Sequence, residues 1–159
     1  MLTVRLITVG TLKEAYWRDA VAEYQKRLAG FCHFESVNLK EVRLPDNPSQ
    51  AQITAALEQE GQAMIAHLHA RAYKIALCVE GKQMSSEALA KKLDEVSSRS
   101  SEICVVIGSS YGIAPVVKAA CDLRLSLSEL TFPHQLARVV VCEVIYRCMN
   151  ILHGTKYHK

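Results

Sequence analysis

Three short segments place glycine, serine and polar residues where backbone and side chains together can meet a ligand: Glu80-Gly81-Lys82, Gly108-Ser109-Ser110-Tyr111-Gly112, and Ser128 to Pro133. Each follows an apolar run of strand length, and open α/β sheets bind ligands in the crevice beyond the carboxyl ends of their strands. Glycine lets the backbone come close to a ligand and leaves its N–H groups open to bind it. Gly108 to Gly112 matches neither G-x-G-x-x-G nor a Walker loop, since no Lys-Ser or Lys-Thr follows Gly112. Taken alone it is as well explained by a strand-to-helix turn. A second chemical strip lies at the end of the chain, where His153, Lys156, Tyr157, His158 and Lys159 combine cations with an aromatic ring. Such a tail is either a frayed terminus or an RNA-facing strip that joins phosphate contacts to a stacking ring.

Several other chemistries find no support. His67 and His69 fall on a predicted helix, where positions i and i+2 point apart, and His33 and His134 have no partner at ligand spacing. With neither H-E-x-x-H nor C-x-x-C present, no metal site is predicted. Gly108-Ser109-Ser110-Tyr111-Gly112 matches G-x-S-x-G by spacing, but this short match alone does not indicate a hydrolase nucleophile. The six cysteines, Cys32, Cys78, Cys104, Cys121, Cys142 and Cys148, sit mostly in apolar runs and read as reduced, buried thiols of a cytosolic protein. Met1 to Ile7 reads as a first strand rather than an apolar signal core, and the apolar stretch Val139 to Cys142 stops at Glu143, far too soon to span a bilayer. A net charge of +3 permits a nucleic-acid partner without demanding one.

The elements that must position these segments alternate along the 159 residues as one domain, 1–159. Leu2 to Val9 is a β-branched strand ended by Gly10. Trp17, Val21, Tyr24 and Leu28 then form one helical face closed by Gly30. Phe34 to Val42 is a weaker strand, and Leu44 to Ser49 is a loop with Ser49 as N-cap of a helix carrying Ile53, Leu57, Met64, Ile65 and Leu68. Ile75 to Val79 and Ile103 to Ile107 are continuously apolar, which predicts strands covered on both faces of a parallel sheet. Between them Ser85-Ser86-Glu87 opens a helix with Leu89, Leu93 and Val96 inward. Pro115 to Ala120 is a short helix, Leu123 to Leu127 a last strand, and the final helix begins after Pro133. The pattern predicts an α/β fold with a mostly parallel sheet flanked by helices.

From Leu136 to Tyr146 the final helix carries only Arg138 and Glu143 as charged residues, so it is apolar nearly all round. A surface helix of a single domain shows one polar face. The expectation is therefore a homodimer in which the helix starting near Leu136 packs on its twofold mate.

Val9-Gly10-Thr11-Leu12-Lys13-Glu14-Ala15-Tyr16-Trp17, Val79-Glu80-Gly81-Lys82, Val106 to Gly112, Leu125 to Gln135, Arg138-Val139 and the terminal Tyr157-His158-Lys159, in this order, closely resemble the RlmH family. These are bacterial pseudouridine methyltransferases of large-subunit ribosomal RNA, of the SPOUT class, and the resemblance covers essentially the whole chain. It implies a SPOUT fold with a C-terminal trefoil knot and S-adenosylmethionine held in that knot. Carried over by position, the cofactor pocket is Leu77, Gly108, Leu127, Ser128, Glu129, Leu130, Thr131 and Phe132. The family usually has Gly-Gly where this chain has Gly108-Ser109, and a serine fits there if its φ is negative.

The reaction so implied is methylation of the third ring nitrogen of a pseudouridine in a 23S rRNA stem-loop, in the cytoplasm. That nitrogen lies on the pairing edge, so the base must be unpaired and must lose a proton. The substrate-side candidates are Arg138, Tyr157 and His158, contributed in a dimer by either chain, with Lys156 and Lys159 on phosphate. Two other classes stay open at this level: a non-catalytic RNA-binding dimer, which lacks a reason for the pocket, and a nucleotide-binding or hydrolase-like protein, which lacks a Walker loop and has only the short Gly108 to Gly112 match.

Overall fold

The computed structural model describes residues 1–159. Ten elements follow in chain order: β1 (Thr3–Val9), α1 (Ala15–Leu28), β2 (His33–Leu39), α2 (Gln50–His67), β3 (Tyr73–Gln83), α3 (Ser86–Ser97), β4 (Glu102–Ile107), α4 (Pro115–Ala120), β5 (Leu123–Ser126) and α5 (His134–Leu152). The five strands form one sheet in the order β2-β1-β4-β3-β5 with every pairing parallel. Successive crossovers run left, right, left and right across it. Right-handed crossovers then place successive helices on opposite faces.

The strand side chains divide accordingly. In β4, Ile103, Val105 and Ile107 enter the core shared with α1, α3 and α5, whereas Cys104 and Val106 enter the core shared with α2 and α4. All five are buried, which is why β4 is continuously apolar rather than alternating. In β1, Val4 and Leu6 face the first core, and Ile7 and Val9 the second.

Local signals placed α2 correctly. Ser49 accepts from the backbone N–H of Gln52 at 3.2 Å, and the Gln52 side chain accepts from the Ser49 N–H at 2.8 Å, a reciprocal capping box. Ser49→Ala is expected to cost about 1 kcal/mol, seen as a lower urea midpoint with unchanged slope. An unchanged midpoint would show that tertiary packing alone holds the start of α2.

Three expectations need correction. Residues 80–82 are not a loop beyond a strand: β3 continues through them and pairs Lys82 with Leu125 and Gln83 with Ser126 after a register shift between Leu77 and Lys82. The backbones come so close there that a Cβ on Gly81 would lie 2.8 Å from the carbonyl carbon and oxygen of Arg124. Second, β2 ends at Leu39, and residues 40–45 are irregular. Third, α2 stops at His67, leaving His69 in the following turn, where its ring meets Glu102 at 2.9 Å and Arg5 at 2.8 Å. Within the chain α1 and α3 both pack against α5. Leu136, Val139, Val140 and Val144 stay only partly buried.

Cys32, Cys104, Cys142 and Cys148 are buried and unpaired, while Cys78 and Cys121 are half-buried. Burial pushes the Cys32 thiol up to about 11 and those of Cys104, Cys142 and Cys148 up to about 12. They pack as small apolar side chains. No helix is long and apolar enough to cross a membrane.

Candidate functional site

The carboxyl ends of β3, β4 and β5 lie side by side, and the segments leaving them enclose a partly open pocket of about 220 Å³. From β3 it takes Leu77 to Glu80, from the end of β4 Ile107 and Gly108, and from the glycine loop Ser109, Ser110 and Gly112. The segment after β5 supplies Leu127, Ser128, Leu130, Thr131 and Phe132, and α5 closes one side with His134 and Ala137. Of the eight cofactor positions expected from sequence, all but Glu129 line the pocket; Glu129 is exposed and turned away from it.

The glycine loop is as tight as backbone allows. A Cβ on Gly108 would lie 2.1 Å from the Gly112 carbonyl oxygen and 2.5 Å from its carbon. The turn closes with the Gly112 N–H donating to the Ser109 carbonyl at 2.9 Å, and Gly112 itself has a φ of +95°. No residue other than glycine has a positive φ, so Ser109 occupies the position of the family's second glycine without strain. The Ser128 side chain accepts from the Leu130 N–H at 3.0 Å and so shapes the third segment. At its tip Leu130 is 70% exposed and Phe132 36%, an exposure of large apolar side chains suited to covering a ligand.

The electrostatics are set by one ion pair at the rim, Lys118 with Glu80. The Lys118 ammonium holds the Glu80 carboxyl below the usual carboxylate range. Beside it, burial pushes the Cys78 thiol up. α5 begins with Pro133 as N-cap and no side-chain cap, so the electropositive end of a 19-residue helix is directed at the pocket from His134 onward. Apolar walls, close backbone and one helix terminus suit a flat ring carrying a polar and anionic extension. No group of three His, Cys, Asp or Glu side chains is placed to hold a metal ion.

The three residues expected on the substrate side lie elsewhere. Arg138 is buried at the far side of the α5 start, donating to Asn38 Oδ1 at 3.2 Å and to the carbonyls of Val9 at 3.1 Å and Gly10 at 3.3 Å. No carboxylate touches it, its Nε has no partner, and burial holds its pKa below the usual guanidinium range. It braces the first turn of α5 to the ends of β1 and β2. Tyr157 and His158 fold back along α5. The Tyr157 hydroxyl donates to Glu143 at 3.0 Å, and its ring packs on Tyr146 and under Arg147. Burial and the Glu143 carboxylate push the Tyr157 hydroxyl up to about 12. The His158 ring meets Glu87 of α3 at 2.8 Å and Arg147 at 3.3 Å. Within one chain none of the three lines the pocket.

Sequence reasoning placed Glu80 in a ligand-facing segment but missed Lys118 and His134 as pocket residues. Lys118 looks like an ordinary surface charge in the sequence, and only the fold brings it to Glu80. Sequence reasoning also missed Glu60, buried to 4% exposure in the middle of α2, with no local signal to separate it from Glu58.

Residues 2–158 match the family model described as predicted SPOUT methyltransferase. The chain is similar to the protein named ribosomal RNA large subunit methyltransferase H of Streptococcus thermophilus (strain CNRZ 1066), at 47% identity covering 99% of this chain and 100% of that one. A protein of the same name from Levilactobacillus brevis is 39% identical over the same share of each chain. Among solved structures, that of a probable methylase family protein from Haemophilus influenzae Rd KW20 shares the fold, with a TM-score of 0.55 at 11% identity, covering 98% of this chain and 70% of that one.

Proposed function

The chain belongs to the SPOUT methyltransferase family, and from that membership we propose that it uses S-adenosylmethionine to methylate large-subunit ribosomal RNA in the cytoplasm. The acceptor in this reading is the third ring nitrogen of a pseudouridine in 23S rRNA. The observation that carries it is the pocket at the ends of β3, β4 and β5, whose lining includes Leu77, Gly108 and the segment Leu127 to Phe132.

The cofactor would lie with its adenine between the apolar walls at Leu77, Ile107, Leu127 and Phe132, and its amino-acid end near the start of α5. When bound it supplies a methyl group on a sulfonium, a strong electrophile. This chain's contribution is to hold, align and dry the site. Gly108 admits the close approach, Leu130 and Phe132 cover the opening, and Arg138 fixes α5 against β1 and β2. The chain after β4 would be threaded as a trefoil knot that ties the three segments together.

In the same reading two copies pair through the partly buried face of α5 around Leu136 and Val140, and the tail of one reaches the site of the other. Tyr157 and His158 then act on the substrate from across the interface, which accounts for their distance from the pocket of their own chain.

Purified protein incubated with S-adenosylmethionine and ribosomes from a strain lacking this enzyme is expected to restore a methylated pseudouridine, read by mass spectrometry of nuclease-digested 23S rRNA. No methyl gain with normal cofactor binding would overturn the substrate, and no cofactor binding by calorimetry would favour a non-catalytic RNA-binding protein. Sedimentation is expected to give a dimer mass. A monomer that retains full activity would remove the shared site.

A further inference from the structure

A second crevice, of about 410 Å³, opens at the same edge of the sheet, between residues 41–45 and α2. Ser109 lines both this crevice and the cofactor pocket. Tyr111, on the same turn, lines only the crevice, with its ring 48% exposed. The side of α2 at Ile53 and Leu57 makes an apolar wall, and Lys13 and Arg43 stand at the rim, neither paired with a carboxylate. At the floor is Glu60, 4% exposed, which accepts from the Val42 N–H at 3.3 Å.

We infer that this crevice receives the acceptor nucleotide, its base against Tyr111, a ring N–H on Glu60, and flanking phosphates on Lys13 and Arg43. The inference rests on the methyltransferase reading above. Methyl transfer brings the acceptor atom into contact with the donor, so the acceptor site must adjoin the cofactor pocket. Apart from this crevice, the cavity sharing Leu77 and Leu127 with the pocket is wholly apolar and lies in the core, where no nucleotide enters. A ring with an open face beside two cations matches a base and its phosphates. A carboxylate has about four lone-pair sites, so Glu60 retains acceptor capacity beyond the bond from Val42. A pyrimidine joined to ribose through carbon has two ring N–H groups, one more than uridine. Methylation takes one, and Glu60 accepts from the other, which makes it the residue that separates the two bases.

The test measures methyl transfer to ribosomes alongside S-adenosylmethionine affinity. Tyr111→Ala and Arg43→Ala alter exposed side chains. Each is expected to raise KM for ribosomes about tenfold and leave cofactor Kd within about twofold, with Tyr111→Phe restoring wild-type KM. Glu60→Gln is expected to narrow the preference for ribosomes with pseudouridine over ribosomes with uridine at the target. Unchanged KM in both alanine variants, while the wild type methylates rRNA normally, would overturn the crevice and leave the function standing. A wild type that transfers no methyl group to ribosomes would overturn both.

Discussion

Gly108→Ala is expected to weaken binding of the methyl donor about a hundredfold. The added Cβ would lie 2.1 Å from the Gly112 carbonyl oxygen and 2.8 Å from Ile113 Cγ1, and its nearest neighbours are backbone atoms that no rotamer change can move aside. The turn from Ser109 to Gly112 must open, and that turn is the wall of the pocket. Overpacking of this kind costs about 1–3 kcal/mol or more. The loss of pocket shape should weaken cofactor binding by about two orders of magnitude, since an interaction worth ~2.7 kcal/mol is a hundredfold. Calorimetry with S-adenosylmethionine measures it. Gly154→Ala, also at a positive φ of 63° but remote from the pocket, is the control: it carries backbone strain and should bind normally. Affinity within threefold of wild type in Gly108→Ala would mean that the loop is not the cofactor's wall.

Arg138→Met is expected to destabilise the fold by about 2–4 kcal/mol, because the buried Val9 carbonyl and two partly buried acceptors, Asn38 Oδ1 and the Gly10 carbonyl, lose a donor, and an unmade buried bond costs roughly 1–3 kcal/mol. Removing a buried charge that lacks a counter-ion offsets part of that cost, which keeps the total below the simple sum. Arg138→Lys should recover little, since one ammonium does not reproduce a planar fork aimed at Asn38 and two carbonyls. Cofactor affinity should fall less than tenfold, as Arg138 does not line the pocket. Chemical denaturation and calorimetry on the same variant separate the roles. Wild-type stability with lost methyl transfer would make Arg138 a substrate contact rather than a brace.

The two-sided burial of β4 was legible because a strand covered on both faces has to be apolar at every position, and Ile103 to Ile107 is. The start of α2 was legible because Ser49 and Gln52 cap each other within three residues. Long-range geometry was not. Glu80-Gly81-Lys82 has the composition of a turn, yet pairing with β5 keeps it in the sheet, and only the β5 backbone shows why position 81 must be glycine. The apolarity of α5 raises the expectation of a second molecule, while the periodicity of one helix does not reveal that α1 and α3 pack against it. Glu60 and Arg138 are charges buried by tertiary neighbours, and nothing in the residues beside them marks that. All eight expected cofactor positions came from family resemblance, since the glycine loop alone was ambiguous, and seven of them line the pocket.

The sheet order also dictates a timetable for the nascent chain. β1 can pair with β2 as soon as both are made, but its other neighbour, β4, ends at Ile107, and β3 has no partner before then. The last third of the polypeptide supplies β5, the segment to Phe132 and the helix that seals the inner face. At about 5–20 residues per second, the binding site is therefore assembled in the final seconds of synthesis, after most of the chain has already emerged. Until then Ile75 and Val105 stand beside an open sheet edge and an uncovered face. Interrupted translation beyond α3 should thus yield aggregation-prone fragments rather than a smaller working protein.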